Sequence, residues 1–262
     1  MKRLDVYLVN NGMVATRSKA QQLIKSGNVL SNGVAIKKCG YQVEDSDEIS
    51  VSSYQILKYV SRGGLKLEKA IHTFGIDFTD KTVLDIGSST GGFTDCAIQH
   101  GAKTVYSVDV GQDIMDKSLS SNPKVVLYEK TDIRNVSSEL LSQVDLIVCD
   151  VSFISLKAIV PHIAQNGLPK QGVFLIKPQF ECGKEQAKKH KGIVNQPSIH
   201  LLVLDDILAL FRDYGYKLNG ITFSPIQGGD GNIEYITWFS DKETSKYDIN
   251  EIVKEAFDNF NR

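Results

Sequence analysis

The sequence predicts an α/β protein whose sheet is mostly parallel and ends in an antiparallel hairpin, with a small α+β unit in front. From residue 80 onward, short apolar strands alternate with helical patterns, which is typical of a parallel sheet covered on both faces. The last two strand patterns follow one another without a helix between them, so they predict a hairpin. Two helical patterns and an Asn-Gly turn within the first fifty residues predict the separate small unit.

The small unit is predicted at residues 1–55, followed by a linker at 56–61. Apolar residues at helical spacing begin at Leu4 and predict a first helix. A second helix is predicted to turn apolar residues inward: Ala20, Leu23 and Ile24. Asn32-Gly33 then joins two short strands, because Asn-Gly suits the left-handed backbone of a tight hairpin turn.

The large unit is predicted over residues 62–240. Near-continuous apolar runs predict its parallel strands: residues 82–86, 104–109, 124–128, 144–149 and 172–177. Helical patterns accompany them, for example residues 92–100, 154–164 and 197–214. The closing hairpin is predicted at residues 216–223 and 233–239. The final stretch, residues 241–262, is predicted to be an amphipathic helix packed on this unit.

Composition excludes several classes of protein. With 42% hydrophobic and 23% charged residues among 262, the chain is of the ordinary globular type and neither disordered nor fibrous. No apolar run reaches the roughly 18 residues of a spanning helix, and no apolar signal core follows the N-terminus. The cysteines are far apart and form no CxxC pair: Cys39, Cys96, Cys149 and Cys182. We therefore expect a soluble cytoplasmic protein with reduced thiols, no membrane association and no metal site.

Charge is distributed unevenly along the chain. Residues 1–42 carry seven Lys and Arg against one Asp, a net charge of +6, so the remaining 220 residues carry −7. A basic module joined to a mildly acidic body indicates contact with a polyanion, although a solvated surface of uneven charge explains the same numbers. The candidate residues for such a contact are cationic or polar: Arg3, Arg17, Ser18, Lys19, Gln21, Lys25 and, ahead of the large unit, Arg62.

The small unit resembles the S4 RNA-binding domain. The resemblance rests on Arg3-Leu4-Asp5-x-x-Leu8, on Arg17-Ser18-x-Ala20-x-x-Leu23-Ile24-x-x-Gly27-x-Val29, and on Asn32-Gly33. It covers about the first fifty residues and implies that the unit binds RNA. Arg3-Leu4-Asp5 is also seen around the catalytic Asp of pseudouridine synthases. Here it lies inside the first helix and lacks their flanking Gly and Thr, so we interpret it as a coincidence.

A glycine-rich loop follows the first strand of the large unit and opens a helix. Its sequence is Asp85-Ile86-Gly87-Ser88-Ser89-Thr90-Gly91-Gly92-Phe93. A dinucleotide site would use G-x-G-x-x-G with a pyrophosphate at the helix N-terminus, and an acid inside the motif would repel that group. The acid suits a cationic ligand instead, such as the amino acid end of S-adenosylmethionine.

Two further acids follow the next two strands. Asp109 is predicted to accept the ribose hydroxyls of the cofactor, and Asp132 to meet its adenine amine. The glycine-rich loop alone is also compatible with a simple tight turn. Acids after three successive strands, however, favour S-adenosylmethionine over NAD as the ligand. The predicted cofactor-binding residues are Asp85, Gly87, Ser88, Ser89, Thr90, Gly91, Phe93, Asp109, Asp132 and Asp150.

Two lysines and two acids are predicted to converge beside the cofactor: Lys66, Asp150, Lys177 and Glu234. Asp150 and Lys177 end the fourth and fifth strands, so they should be neighbours at one edge of the sheet. A ribose hydroxyl is a poor nucleophile until its proton is removed or its developing charge is stabilised, and such a set can do either. A structural ion pair between Lys177 and Asp150 is the simpler alternative.

This set resembles the K-D-K-E tetrad of FtsJ-like RNA 2′-O-ribose methyltransferases. The glycine-rich loop is similar to their D-x-G-x-x-P-G-G loop, with Thr90 in place of proline. Three further motifs, Ser-Arg-Gly-Gly-Leu-Lys-Leu, Asp-Val-Ser-Phe-Ile-Ser-Leu and Lys-Pro-Gln-Phe-Glu, together with the S4-like unit, identify the chain as a member of the haemolysin A-like (TlyA) family. The resemblance implies a class I methyltransferase fold and methylation of cytidine 2′-OH groups in ribosomal RNA. It also implies that the tetrad is catalytic.

Two other functions are compatible with the sequence. One is an RNA-binding protein with an inactive methyltransferase domain, which an intact tetrad and loop argue against. The other is a membrane-active haemolysin, as the family name suggests, but no signal peptide, spanning segment or strongly basic amphipathic helix supports it. The predicted partner is ribosomal RNA or a ribosomal subunit, and no protein partner is implied. The sequence names neither the nucleotide nor the oligomeric state.

Overall fold

The computed structural model describes residues 2–14, 17–51, 58–190, 192–228, 230–240, 242 and 246–260, apart from the side chains of Ser18, Gln22, Leu140 and Lys184. The chain forms two compact units, Met1–Lys58 and Tyr59–Arg262. Tyr59 was assigned to a linker by the sequence, yet it is buried in the core of the second unit. Residues 56 and 57 of that linker lie outside the described part. Among the described residues, no helix is long and apolar enough to cross a membrane.

The first unit combines two helices with short strands. Its elements are β1 (Lys2–Arg3), α1 (Leu4–Asn10), α2 (Arg17–Lys25), β2 (Val29–Ser31), β3 (Val34–Ala35), β4 (Gln42–Val43) and β5 (Ile49–Val51). β3, β2 and β5 form an antiparallel sheet, and β1 pairs with β4. Asn32 and Gly33 adopt φ of 52° and 79°, which confirms the predicted turn. Leu4, Leu23 and Ile24 are buried, so the predicted apolar faces form the core.

A seven-stranded sheet forms the centre of the second unit. Its strands are β6 (Thr82–Ile86), β7 (Thr104–Val108), β8 (Val125–Tyr128), β9 (Leu146–Cys149), β10 (Gly172–Ile176), β11 (Lys217–Phe223) and β12 (Tyr235–Ser240). Their spatial order is β11-β12-β10-β9-β6-β7-β8. Five adjacent strands are parallel to one another: β10, β9, β6, β7 and β8. Strand β12 runs antiparallel to both its neighbours, β10 and β11. The sequence predicted each of these strands, with ends that differ by at most two residues.

Helices cover both faces of this sheet. They are α3 (Gly63–Phe74), α4 (Gly92–Gln99), α5 (Lys117–Ser120), α6 (Ser138–Leu141), α7 (Leu156–Gln165), α8 (Pro178–Glu181), α9 (Lys184–Lys189), α10 (Pro197–Asp213) and α11 (Ile249–Phe260). Val83 of β6 belongs to one core with α3 and α4, whereas Leu84 and Ile86 belong to a second core with α7, α10 and α11. Burial on both faces explains the continuous apolar runs of the strands. The final helix α11 buries Val253 and Ala256 and contacts α10 and β11.

Candidate active site

The order of the strands creates a crevice at the carboxyl end of the sheet. From β6 the chain passes to β7 and β8 on one side, and it then returns to β9 and β10 on the other. The loops that leave β6 and β9 therefore run in opposite directions and leave a crevice between them. Open α/β sheets bind their ligands at such a point.

The structure brings the predicted catalytic side chains into direct contact. Lys66 lies in the first turn of α3, Asp150 and Lys177 directly follow β9 and β10, and Glu234 directly precedes β12. The Lys66 ammonium lies 3.2 Å from Asp150 Oδ2 and 2.6 Å from Glu234 Oε2. The Lys177 ammonium lies 2.7 Å from Asp150 Oδ1. Asp150 therefore bridges two ammonium groups, as the predicted tetrad requires.

These groups are almost removed from water, so their charges interact strongly. Lys66, Lys177 and Glu234 have relative exposures of 8%, 6% and 2%. Burial lowers the pKa of Lys66, but the attraction of Asp150 and Glu234 outweighs it and leaves this pKa above its ordinary value. Burial likewise raises the pKa of Asp150, and the attraction of the two lysines reverses the effect and holds it below its ordinary value. At neutral pH, Lys66 is therefore an ammonium and Asp150 a carboxylate.

Two polar neighbours of the tetrad escaped the sequence analysis. Lys177 donates a hydrogen bond to Ser152 Oγ at 3.0 Å, and Gln179 Nε2 approaches Glu234 Oε1 at 3.5 Å. Ser152 lies two residues after Asp150, and Gln179 lies two residues after Lys177. Their place inside the motifs that contain the tetrad was the sequence signal that could have identified them.

A cavity of about 350 Å³ opens in the crevice, a volume suited to a small organic ligand. Its polar wall consists largely of predicted cofactor-binding residues: Gly87, Ser89, Asp109, Asp132 and Asp150. Its apolar wall was not predicted and includes Val110, Ile114, Phe153 and Ile154. Ser152, which accepts a hydrogen bond from Lys177, also lines the cavity. The tetrad therefore adjoins the cavity at two places, Asp150 and Ser152.

The two acids after β7 and β8 are held firmly in the cavity wall. Asp109 accepts hydrogen bonds from the backbone N–H groups of Ser89 at 2.8 Å and Gly111 at 2.7 Å. Asp132 accepts from the Arg134 guanidinium at both oxygens, at 2.9 and 2.6 Å. These bonds lower the pKa of Asp132 to about 2, against the opposing effect of burial. Asp132 is therefore a fixed anion at neutral pH.

Asp85 lies behind the cavity wall. Its side chain is fully buried and is not part of the lining. Thr94 Oγ1 donates to Asp85 Oδ2 at 2.6 Å, whereas Oδ1 has no hydrogen-bond partner among the described residues. Burial raises the pKa of Asp85 to about 7, partly opposed by Thr94 and reinforced by the charges of Asp150 and Asp109. A buried acceptor without a donor is costly, so this oxygen is suited to a ligand that carries one.

The other predicted residues of the glycine-rich loop differ in exposure. Gly87 and the exposed Ser89 line the cavity, whereas Thr90 is exposed outside the lining. Three residues of the loop are buried: Ser88, Gly91 and Phe93. Gly87 has φ of 81°, and a Cβ at this position would lie 3.1 Å from the carbonyl oxygen of Asp150. Glycine therefore lets the loop after β6 approach the loop after β9 closely.

Three of the predicted RNA-contacting residues share a structural partner in the first unit. The fully buried carboxylate of Asp5 accepts hydrogen bonds from Arg3 Nε at 3.0 Å, Arg17 Nε at 3.0 Å and Gln21 Nε2 at 2.9 Å. These bonds, that of Arg3 above all, hold the pKa of Asp5 well below its ordinary value despite its burial. The Arg3 and Arg17 side chains are still 48% and 57% exposed, so both guanidinium groups also face solvent.

The remaining predicted RNA-contacting residues are more dispersed. Lys25 is exposed and Lys19 is half-buried, both on α2. Arg62 is half-buried and directly precedes α3 in the second unit. The side chain of Ser18 lies outside the described part.

Known proteins resemble both units. A family model described as FtsJ-like methyltransferase matches residues 59–241, and an S4 domain model matches residues 2–49. The 16S/23S rRNA (cytidine-2'-O)-methyltransferase TlyA of Mycobacterium tuberculosis is 33% identical over 97% of this chain and 96% of its own. Hemolysin A of Brachyspira hyodysenteriae is 42% identical over 90% of this chain and 99% of its own. A solved structure from Streptococcus thermophilus, described as a candidate hemolysin, is 39% identical with a TM-score of 0.77 and covers 99% of this chain and 97% of its own.

The second unit is a class I S-adenosylmethionine-dependent methyltransferase domain. Its sheet has this strand order with a ligand crevice beside β6, and the FtsJ-like model matches most of the length of the unit. The first unit is an S4 domain. The chain belongs to the haemolysin A-like (TlyA) family, which confirms the resemblance drawn from its sequence. Membership of a methyltransferase family implies S-adenosylmethionine as the methyl donor.

Proposed function

We propose that this protein methylates the ribose 2′-OH of a cytidine in ribosomal RNA. The observation that carries the proposal is the contact chain from Glu234 through Lys66 and Asp150 to Lys177, which ends beside a cavity of nucleoside size. The relative from Mycobacterium tuberculosis, whose name specifies this reaction, supports the choice of cytidine and of ribosomal RNA. We also assign the reaction to the cytoplasm, where ribosomal RNA is found.

Lys177 is assigned to the reacting hydroxyl. Its side chain reaches Asp150 and Ser152, and both of these line the cavity. As an amine it can take the proton of the 2′-OH, and as an ammonium it can stabilise negative charge on the oxygen. Either role makes the hydroxyl a better nucleophile. In the second role the lysine ammonium itself supplies the positive charge, so no metal ion is needed for it.

Lys66 and Glu234 are assigned to holding Asp150. Lys66 stays an ammonium because its pKa is raised, and Glu234 anchors it at 2.6 Å. Asp150 is thereby kept ionised between two cations and can orient the Lys177 side chain. The tetrad then acts as one unit, and the loss of any member should disturb the others.

The residues of the cavity fit S-adenosylmethionine, which when bound supplies a methyl group on a cationic sulfur. Behind the cavity wall, the unpartnered Oδ1 of Asp85 suits its amino group, which carries several donors. Asp109 and Asp132 would hold the ribose hydroxyls and the adenine amine, and the apolar side chain of Ile114 suits a flat base.

Replacing Asp85 with asparagine is expected to weaken S-adenosylmethionine binding while stabilising the protein at alkaline pH. A hydrogen bond to a charged group contributes about 1.5–3 kcal/mol, so we expect affinity to fall about 10- to 100-fold. The folded pKa of about 7 lies above that of an unfolded Asp, so the parent loses stability as pH rises from about 4 to 7. Asparagine cannot ionise, and the variant should melt above the parent beyond pH 7 and show no such advantage below pH 4.

Calorimetric titration and thermal melts between pH 3 and 8 check both expectations for Asp85. Asp145→Asn is the matched control, because Asp145 is exposed and accepts a hydrogen bond from the backbone of Thr82 away from the cavity. Unchanged cofactor affinity in Asp85→Asn would remove Asp85 from the binding site.

Replacing Phe153 with alanine is expected to raise the KM for RNA about 5- to 100-fold, since stacking of a base on an aromatic ring contributes about 1–3 kcal/mol. Phe153 is 91% exposed and lines the cavity, and its ring lies beside that of Phe180, with 5.1 Å between the centroids. Its φ of 66° is strained for a residue that is not glycine, a conformation often kept for function. Steady-state kinetics of Phe153→Ala, with Leu202→Ala as an exposed apolar control on α10, measures the effect. A KM for RNA in Phe153→Ala equal to that of the parent would exclude a stacking role for Phe153.

The proposed activity itself is tested with labelled S-adenosylmethionine and ribosomal RNA that lacks the modification. A 2′-O-methyl group blocks alkaline cleavage of the adjoining phosphodiester, because the 2′-oxygen can no longer attack the phosphorus. We expect incorporated label to be recovered in alkali-resistant dinucleotides that begin with cytidine. Label recovered in mononucleotides would place the methyl group on a base and contradict the proposal.

A further inference from the structure

We infer that Glu68, His72 and His100 form a binding site for a zinc ion, separate from the methyl-transfer site. One ligand atom from each of these side chains lies within 4.8 Å of the other two. The residues take no part in the tetrad or in the lining of the cavity beside it. The sequence predicted no metal site, because its cysteines are far apart and the three ligands proposed here come from two different helices.

Two helices present these ligands to one another. Glu68 and His72 are four residues apart on α3 and therefore lie on the same face of that helix. His100 directly follows α4, which packs against α3. The rings of His72 and His100 are edge to face, with 6.0 Å between their centroids. Buried residues on the facing sides, among them Leu67 and Ala97, fix the two helices in one apolar core.

The hydrogen bond of His100 prepares it to bind a metal. Its Nδ1 lies 2.8 Å from the backbone carbonyl oxygen of Cys96. A carbonyl can only accept, so Nδ1 carries the proton and Nε2 keeps its lone pair. Metal-binding histidines in proteins characteristically donate one ring N–H to a carbonyl or carboxylate while the other nitrogen binds the ion.

The surrounding charge favours a cation. His72 lies in the last turn of α3 and His100 caps the end of α4, and helix C-termini carry partial negative charge. Glu68 adds a carboxylate. Two imidazoles and one carboxylate are a ligand set of zinc, which leaves the fourth position to water, whereas magnesium and calcium prefer oxygen ligands throughout. Tetrahedral bonds of about 2.1 Å need ligand atoms about 3.4 Å apart, which the exposed His72 can approach by rotating its side chain.

A zinc ion bound here would join the last turns of α3 to the end of α4. The first turn of α3 carries Lys66, so the ion would stabilise a helix on which the tetrad depends. We therefore expect zinc to act on the stability of the domain, and the melting temperature reports on it directly.

The test uses the full chain after treatment with a chelator, titrated with buffered zinc ions. We expect one zinc per chain and, at zinc activity about 100-fold above Kd, a melting temperature raised by about 5–10 °C. Magnesium at the same concentration should have no effect. Cobalt(II) bound in place of zinc should show its visible bands without a thiolate charge-transfer band. No stabilisation by zinc, or a thiolate band that assigns the ion to cysteines, would overturn the proposal.

Variants separate the zinc site from a simple ion pair on the helix surface. His72 is exposed, so His72→Ala should fold and lose the response to zinc. His72→Lys places a cation four residues from Glu68, so it should retain the stability of the metal-free protein and still lose the response to zinc. His162→Ala removes a histidine from α7 and should respond as the parent does. A full zinc response in both His72 variants would overturn the assignment.

Discussion

Replacing Lys177 with alanine is expected to reduce methyl transfer to RNA by about 10²- to 10⁴-fold. The affinity for S-adenosylmethionine should stay within a few fold of the parent, because Lys177 contacts Asp150 and Ser152 and is not part of the cavity lining. Single-turnover methylation of RNA and calorimetric titration of the cofactor measure the two quantities separately.

The structure also predicts that the Lys177→Ala protein remains folded. A buried carboxylate that loses its only cation typically destabilises a protein by about 3–5 kcal/mol. Asp150 keeps Lys66 at 3.2 Å when Lys177 is removed, so we expect a clearly smaller loss of unfolding free energy. Thermal melting of the variant checks this expectation and shows whether lost activity is a consequence of unfolding.

Lys157→Ala is the matched control for Lys177→Ala. Lys157 also forms an ion pair, with Asp206, but both side chains are about half exposed on the surface. The control should melt and methylate as the parent does. A Lys177→Ala protein that binds the cofactor, melts normally and still methylates RNA at the full rate would show that Lys177 is not a catalytic residue.

Reversing the charge of two exposed lysines in the S4 domain, Lys25→Glu with Lys38→Glu, is expected to weaken RNA binding by about tenfold or more. Affinity for RNA depends largely on neutralised phosphates, and residues 1–42 of this domain carry a net charge of +6. Each lost phosphate contact should lower the slope of log affinity against log salt by about one, so the double variant should lose about two. Cofactor affinity should not change, since the cavity is lined by residues of the second unit alone.

The structure decides which residues are suitable for that experiment. Arg17→Glu would bring a second carboxylate beside the buried Asp5, and Arg3→Glu would do the same. Either change would destabilise the domain and confuse lost folding with lost binding. Removal of residues 1–55 provides a second measurement, because it deletes the basic charge without altering any residue that lines the cavity. RNA affinity and salt slope equal to those of the parent in both variants would show that the S4 domain does not dock the RNA.

Much of the fold and of the candidate active site could be predicted because the relevant signals are local in sequence. A strand buried on both faces is a continuous apolar run, and its end is marked by the first polar residue. Asp150 and Lys177 each stand at such an end, and parallel strands align their ends, so their contact follows from the pattern. Glu234 stands at the start of an antiparallel strand, which brings it to the same edge.

The missed features depend on packing between segments that are distant in sequence. The fully buried Asp5 accepts hydrogen bonds from Arg3 and Arg17, and no local pattern reports the burial of an acid. Glu68 and His72 have visible helical spacing, but His100 joins them only because α4 packs on α3. The exposed ring of Phe153 follows from a left-handed backbone conformation that sequence does not indicate for phenylalanine.

The most direct test of the proposed reaction is to map methylated nucleotides after purified protein has acted on unmodified ribosomal subunits with S-adenosylmethionine. We predict new 2′-O-methylation at cytidine that appears with the parent protein and is absent with Lys177→Ala. Methyl groups on bases, on other nucleotides only, or at equal yield with Lys177→Ala would contradict it.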